Sequence, residues 1–225
     1  MKLSITAILI CLVSVCMAQT SQESRTLKAF DKIKVSNAIE AELIKGNTHE
    51  IEITASGIAL DKVETEVKNR TLDLKISGSS PRSSTVKVKI IYAKLEDVSV
   101  STSAKVFVRD TLESQTVKLN TATNGYLEAA VKARSLSLDA QTNSQMSLRG
   151  TADQLYFNAF TNAQIDGDGL EANNAEVRVN TNASGTFKVL ESIKGTAATR
   201  GRVKYTGNPN LVDVKVNTGG AIDGP

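Results

Sequence analysis

Val117-Lys118-Leu119-Asn120-Thr121-Ala122-Thr123-Asn124-Gly125-Tyr126-Leu127 is one copy of a pattern that recurs from Val98 to Ile222. Each copy turns on a small polar or glycine-bearing triplet. The triplets are Thr102-Ser103-Ala104, Thr123-Asn124-Gly125, Thr142-Asn143-Ser144, Thr161-Asn162-Ala163, Ala183-Ser184-Gly185, Thr199-Arg200-Gly201 and Thr218-Gly219-Gly220. Taken between middle residues, the steps are 21, 19, 19, 22, 16 and 19. A period in this range is the signature of a stacked repeat architecture.

The residues around the triplets say which side faces inward. Three residues after each anchor stand Val106, Leu127, Met146, Ile165, Phe187, Val203 and Ile222, all apolar. Five before stand Val98, Leu119, Leu138, Phe157, Val179, Gly195 and Val214. Polar residues lie between, as Arg178 does between Val177 and Val179. Odd offsets therefore point inward and even offsets outward, the period of a half-buried strand. One copy cannot bury its own apolar edge, but stacked copies make a continuous core of parallel strands. The expected fold is all-β, a parallel β-helix-like solenoid with rungs of about 19 residues.

The chain in order divides into four parts. Met1–Ala18 reads as a secretory leader: Lys2 starts it, an apolar run follows, and a small residue ends it. Removal after Ala18 would take both cysteines, Cys11 and Cys16, leaving no disulfide, thiolate zinc site or cysteine nucleophile. Residues 19–29 read as a flexible polar lead. Residues 30–92 carry further strand signals, less regular than those of 93–225. They form either the first elongated rungs, with Asn37-Ala38 as an early turn, or a small β-sandwich capping the stack. Leu60–Lys68 fits a strand better than a helix. The formal charge of +3 falls by one with the leader, which gives no electrostatic case for nucleic acid or an anionic membrane. No second apolar run is long enough to span a bilayer.

No catalytic, cofactor-binding or metal-binding residues are assigned. His49, the single histidine, sits in a turn between strands, and no nucleophile elbow accompanies it. Asp166-Gly167-Asp168-Gly169 resembles the opening of a calcium loop, yet the other ligand positions do not follow, so it reads as a polar turn. A glycosidase needs two carboxylates converging on one face. The outward acids Glu128, Asp139, Glu176 and Asp213 do not repeat in register. Of the tyrosines near the turns, Tyr205 has inward parity and belongs to the core. Tyr126 has outward parity and could offer a sugar platform. The Thr/Asn/Ser ridge at the turns is sufficiently explained as turn chemistry; as a function it would bind a glycan or a protein partner.

Three features together resemble a known family: the leader, the opening Phe30-Asp31-Lys32-Ile33-Lys34-Val35, and the repeats with Ser-Gly-Ala-like turns. The closing segment adds Val203-Lys204-Tyr205-Thr206-Gly207-Asn208-Pro209 and Asn217-Thr218-Gly219-Gly220. The family is the auto-transporter adhesin head, or GIN, domain, common in Bacteroidetes. The likeness runs from about Phe30 to Asp223. It implies a right-handed β-helix-like fold, an exported or cell-envelope location and an adhesin role, with an unknown surface glycan or protein as partner. It brings no catalytic residues and no cofactor. A self-assembling envelope module and a carbohydrate-active enzyme are the alternatives, and a homo-oligomer is compatible with the first of these.

Overall fold

Alternating sequence becomes strand throughout the computed structural model, which describes residues 20–79, 81 and 83–225. The segment read as a secretory leader, with its expected cleavage point, lies outside the described residues. The strands are β1 (Thr20–Thr26), β2 (Lys32–Val35), β3 (Glu40–Lys45), β4 (Glu50–Ser56), β5 (Val63–Lys68), β6 (Thr71–Ile76), β7 (Thr85–Tyr92) and β8 (Asp97–Val100). Five long strands follow: β9 (Lys105–Thr121), β10 (Tyr126–Gln141), β11 (Gln145–Phe160), β12 (Gln164–Asn180) and β13 (Ser184–Ala197). The stack ends with β14 (Arg202–Thr206), β15 (Leu211–Val216) and β16 (Ala221–Asp223). Among the described residues there is no α-helix, only a 3-10 turn at Leu60–Lys62 that leads into β5.

From β9 to β13 every strand pairs in parallel with the next, so the chain is a β-solenoid whose coils are the sequence repeats. Inward residues stack in columns. Leu119, Leu138, Phe157 and Val177 share one register position, and all are buried. Each such side chain removed from water contributes about 1.5–3 kcal/mol. The largest are Phe157 and Phe187, whose ring centroids lie 5.3 Å apart. Gly185 makes room for them, since a Cβ there would come within 2.2 Å of Phe157 Cζ.

The corners are built from two consecutive residues with positive φ. At seven corners these begin with threonine, from Thr102 (φ 52°) to Thr218 (φ 49°). A β-branched residue rarely adopts this conformation, and it costs about 1–2 kcal/mol per residue. Hydrogen bonds between rungs hold it there. The backbone N–H of the second corner residue donates to the carbonyl of the threonine one rung on: Asn124 to Thr142 (3.1 Å), Asn143 to Thr161 (2.9 Å), Asn162 to Thr181 (2.9 Å). The ladder thus passes through the corner without a break. Just inside stand only small residues. Ala104, Ala163 and Ala183 are buried, and so is Ser144, whose hydroxyl donates to the Thr121 carbonyl at 3.1 Å.

Two sequence expectations need correction, and a third point, an irregular rung visible in the sequence, finds its cause. The fifth corner is Thr181-Asn182 (φ 53° and 58°), not Ala183-Ser184-Gly185. Ser184 already opens β13, because its small neighbours Ala183 and Gly185 are inward residues rather than turn residues. The copies on either side are therefore 20 and 18 residues long instead of 22 and 16. The slip is two residues, so inward and outward faces are unchanged, but Val177 rather than Val179 stacks on Phe157. The irregular rung is that of Gly195, which departs from its apolar column for a local reason: its φ is 150°, and a Cβ would sit 2.0 Å from the Val177 carbonyl oxygen.

The second correction is that the segment read as a flexible lead forms β1, antiparallel to β4 from Thr20↔Ser56 to Thr26↔Glu50. Arg25 fixes it. Its guanidinium grips the Glu23 carboxylate at 2.9 and 2.8 Å and donates to the Val63 carbonyl at 2.7 Å and the Leu60 carbonyl at 3.2 Å. The less regular region combines both possibilities left open by its sequence. β2 and β3, joined through Asn37-Ala38 (φ 63° and 56°), make a true rung. β6 and β7 lie beyond it, and antiparallel β5 and β4 close the end.

Candidate functional site

Outward residues of β9, β10 and β11 form the most distinctive surface. Tyr126 stands in one column between Lys105 and Gln145, and Phe107 is its diagonal neighbour. The two rings are 5.7 Å apart and tilted by 49°. Aromatic rings this close on an outward face are half-buried by each other and present one continuous apolar ledge. The corner amides of Asn124 and Asn143 border the ledge, and with Lys105 and Gln145 they complete an open groove of about 550 Å³.

Charges lie beside the ledge. The Arg109 guanidinium stands 5.3 Å from the Phe107 ring centroid and is ion-paired with Glu42 from β3. That hydrogen bond raises the Arg109 pKa. Partial burial, followed by the negative charge of Glu128, raises the Tyr126 pKa, and the phenol reaches Glu128 Oε2 at 3.4 Å. Tyr126 is thus a neutral phenol at physiological pH, with its ring face available. Flat, partly apolar surface flanked by amides that both donate and accept suits a ligand with apolar ring faces and equatorial hydroxyls.

The residues singled out in the sequence do not converge elsewhere. His49 packs edge-on against Phe30 at 4.8 Å, with Nδ1 buried, so the turn histidine serves as a packing residue. Asp166 accepts the Asp168 backbone N–H at 3.2 Å, a local polar turn. No group of three metal-ligating side chains occurs among the described residues. Glu176 is held by Arg178 at 2.9 Å and Lys194 at 3.4 Å, and Asp139 by the Gln141 amide at 2.6 Å. Tyr205 is buried, in keeping with its inward parity. Phe107 was missed. Its even offset from Ser103 carried the signal, the same one that marked Tyr126.

Residues 29–209 match the family described as "Putative auto-transporter adhesin, head GIN domain". The chain belongs to this family. Solved structures share the GIN-domain fold. A putative adhesin from Bacteroides fragilis has 20% identity and a TM-score of 0.80, covering 93% of this chain and 98% of its own. One from Parabacteroides merdae has 19% identity and a TM-score of 0.68, covering 92% and 96%. A protein from Parabacteroides distasonis described as a putative lipid binding protein has 15% identity and a TM-score of 0.70, covering 92% and 96%. No curated protein matches the sequence. No helix among the described residues is long and apolar enough to cross a membrane.

Proposed function

We propose that this GIN-domain protein is an exported, non-enzymatic adhesin module of the cell envelope that binds a surface glycan in the Phe107–Tyr126 groove. The observation that carries the reading is the aromatic pair bordered by Asn124, Asn143 and Gln145. Adhesin naming in the family and its solved relatives supports the binding role, and the leader-like Met1–Ala18 supports export. The aromatic ledge would stack on a sugar face while the amides read hydroxyls, a division of labour common to polar-ligand sites.

Binding of the purified protein to an array of glycans and cell-surface polysaccharides tests the reading, with products assayed in the same wells. Tyr126→Ala and Phe107→Ala should each weaken binding by about tenfold, the loss of roughly one stacking contact. Asn143→Gly, which keeps the positive φ of the corner, should weaken it less. Full binding by both aromatic variants would remove the groove from consideration, and turnover of any polysaccharide would refute the non-enzymatic role.

A further inference from the structure

The groove on β9–β11 is lined by a single ionised side chain, Lys105. The other cations of the same outward face are matched. Lys87 pairs with Glu40 at 3.3 Å, Lys89 with Glu52 at 3.8 Å, and Arg109 with Glu42. Glu40 stands beside Lys105 in register, but it is engaged by Lys87 on its other side. Among the described residues no carboxylate lies within 4 Å of the Lys105 ammonium.

Strand register explains why this charge stays unmatched. Lys105 lies opposite Tyr126, and Phe107 lies opposite Glu128. The four outward positions form a square, with the rings on one diagonal and the charges on the other. The packed rings stand between Lys105 and Glu128. Glu128 lies outside the groove lining and accepts the Tyr126 hydroxyl instead, at 3.4 Å. The aromatic ledge therefore has two unlike ends. Toward the corner it meets the Lys105 ammonium and the amides of Asn124 and Asn143; away from the corner it meets a carboxylate.

We propose that the groove selects an acidic sugar, a glycan unit bearing a carboxylate, and that Lys105 is the residue that reads the acid. This rests on the glycan-binding reading of the groove given above. In a hexuronic acid the carboxylate projects from the ring edge. A ring stacked on Phe107 and Tyr126 presents it to Lys105, while Asn124, Asn143 and Gln145 take hydroxyls. The same ring turned end for end sets its carboxylate against Glu128, so repulsion fixes the orientation. An amino sugar would bring a second cation to Lys105 and is disfavoured for the same reason. The long lysine stem lets one ammonium follow carboxylates set at different angles on the ring.

Binding of the protein to oligosaccharides of galacturonate, glucuronate and mannuronate tests this, each beside the same chain with its carboxyls reduced to alcohols. The acidic member of at least one pair should bind about tenfold tighter, the contribution of one charge-assisted contact. Raising the salt from about 50 to about 500 mM should remove most of that preference. Lys105→Gln should bring the acidic member down to the affinity of its reduced counterpart, and Lys105→Arg, which keeps the charge, should retain the preference. Lys105 is exposed, and circular dichroism confirms that both variants are folded. Glycan binding that Tyr126→Ala weakens, with no acidic member bound more tightly than its reduced counterpart, overturns this inference and leaves the glycan reading standing. A preference that survives Lys105→Gln overturns it as well. Absence of binding to any glycan, acidic or neutral, removes both. The wild-type comparison decides without depending on any variant.

Discussion

From Thr102 to Gly220 the order of strands in space is the order of strands in the chain, and each residue meets neighbours about 19 positions away. Before Val100 it is not. β2 and β3 lie between the β6–β7 rung and the β8–β9 rung, although β6 and β7 come later in sequence. The chain lays one rung, steps outward to build the closed end, and returns to continue the stack. Both regions bury the same kind of apolar alternation in one continuous core. They differ in how the contacts are specified: by repetition in one, and by pairings many residues apart in the other.

The largest effect that would break this contrast lies in the repetitive region. Gly150 has φ 120°, and a Cβ there would sit 1.8 Å from the Val131 carbonyl oxygen of the rung below. Gly150→Val should cost about 4 kcal/mol or more in urea unfolding, because neither the backbone nor the neighbouring rung can yield. Phe157→Ala comes next, at about 3–5 kcal/mol for an emptied core site. Hydrogen exchange should then rise mainly in β10, β11 and β12, the rungs that touch it.

Arg25→Ala tests the interleaved region. It removes hydrogen bonds from a charged donor and should cost about 2 kcal/mol. Exchange should quicken in β1 and β5, which lie about 40 residues apart in the chain, and not in β10–β12. Arg25→Lys should rescue little, since an ammonium cannot reproduce the paired grip on Glu23. The smallest effect concerns Tyr92 of β7. Burial, and then the charge of Asp110, pushes its phenol up to about 12. The fold favours the neutral form, so the unfolded chain ionises first. Stability should fall as pH rises from about 10 to about 12, by roughly 2–3 kcal/mol in all. Tyr92→Phe should abolish that decline and cost little at neutral pH, because the hydroxyl is buried without a partner.

The same contrast explains what could be read from the sequence. Period-2 alternation within each copy and a fixed spacing between copies are local signals, so parity, columns and the solenoid itself were legible. One corner was misplaced because Ala183-Ser184-Gly185 has turn-like composition while the real corner, Thr181-Asn182, lies two residues earlier. The seven threonines were the better marker, since they share one backbone conformation and Ala183 does not. The insertion of β2–β3 between later strands leaves no periodic trace. Nor does the clamp of Arg25, whose partners are set by tertiary geometry. In the groove, Tyr126 was visible through its parity. Phe107 carried the same parity but was not considered with it.

The unbroken ladder through the corners makes the rung a unit of length. From β7 to β16 the sheet advances by eight strand steps of about 4.8 Å each, roughly 40 Å in all. No corner stretches or tilts independently of its neighbours, so this protein can be lengthened or shortened only in whole increments. A tandem duplication of one 19-residue copy, such as 124–142, would move the two ends apart by a single strand spacing and leave the shape of both unchanged.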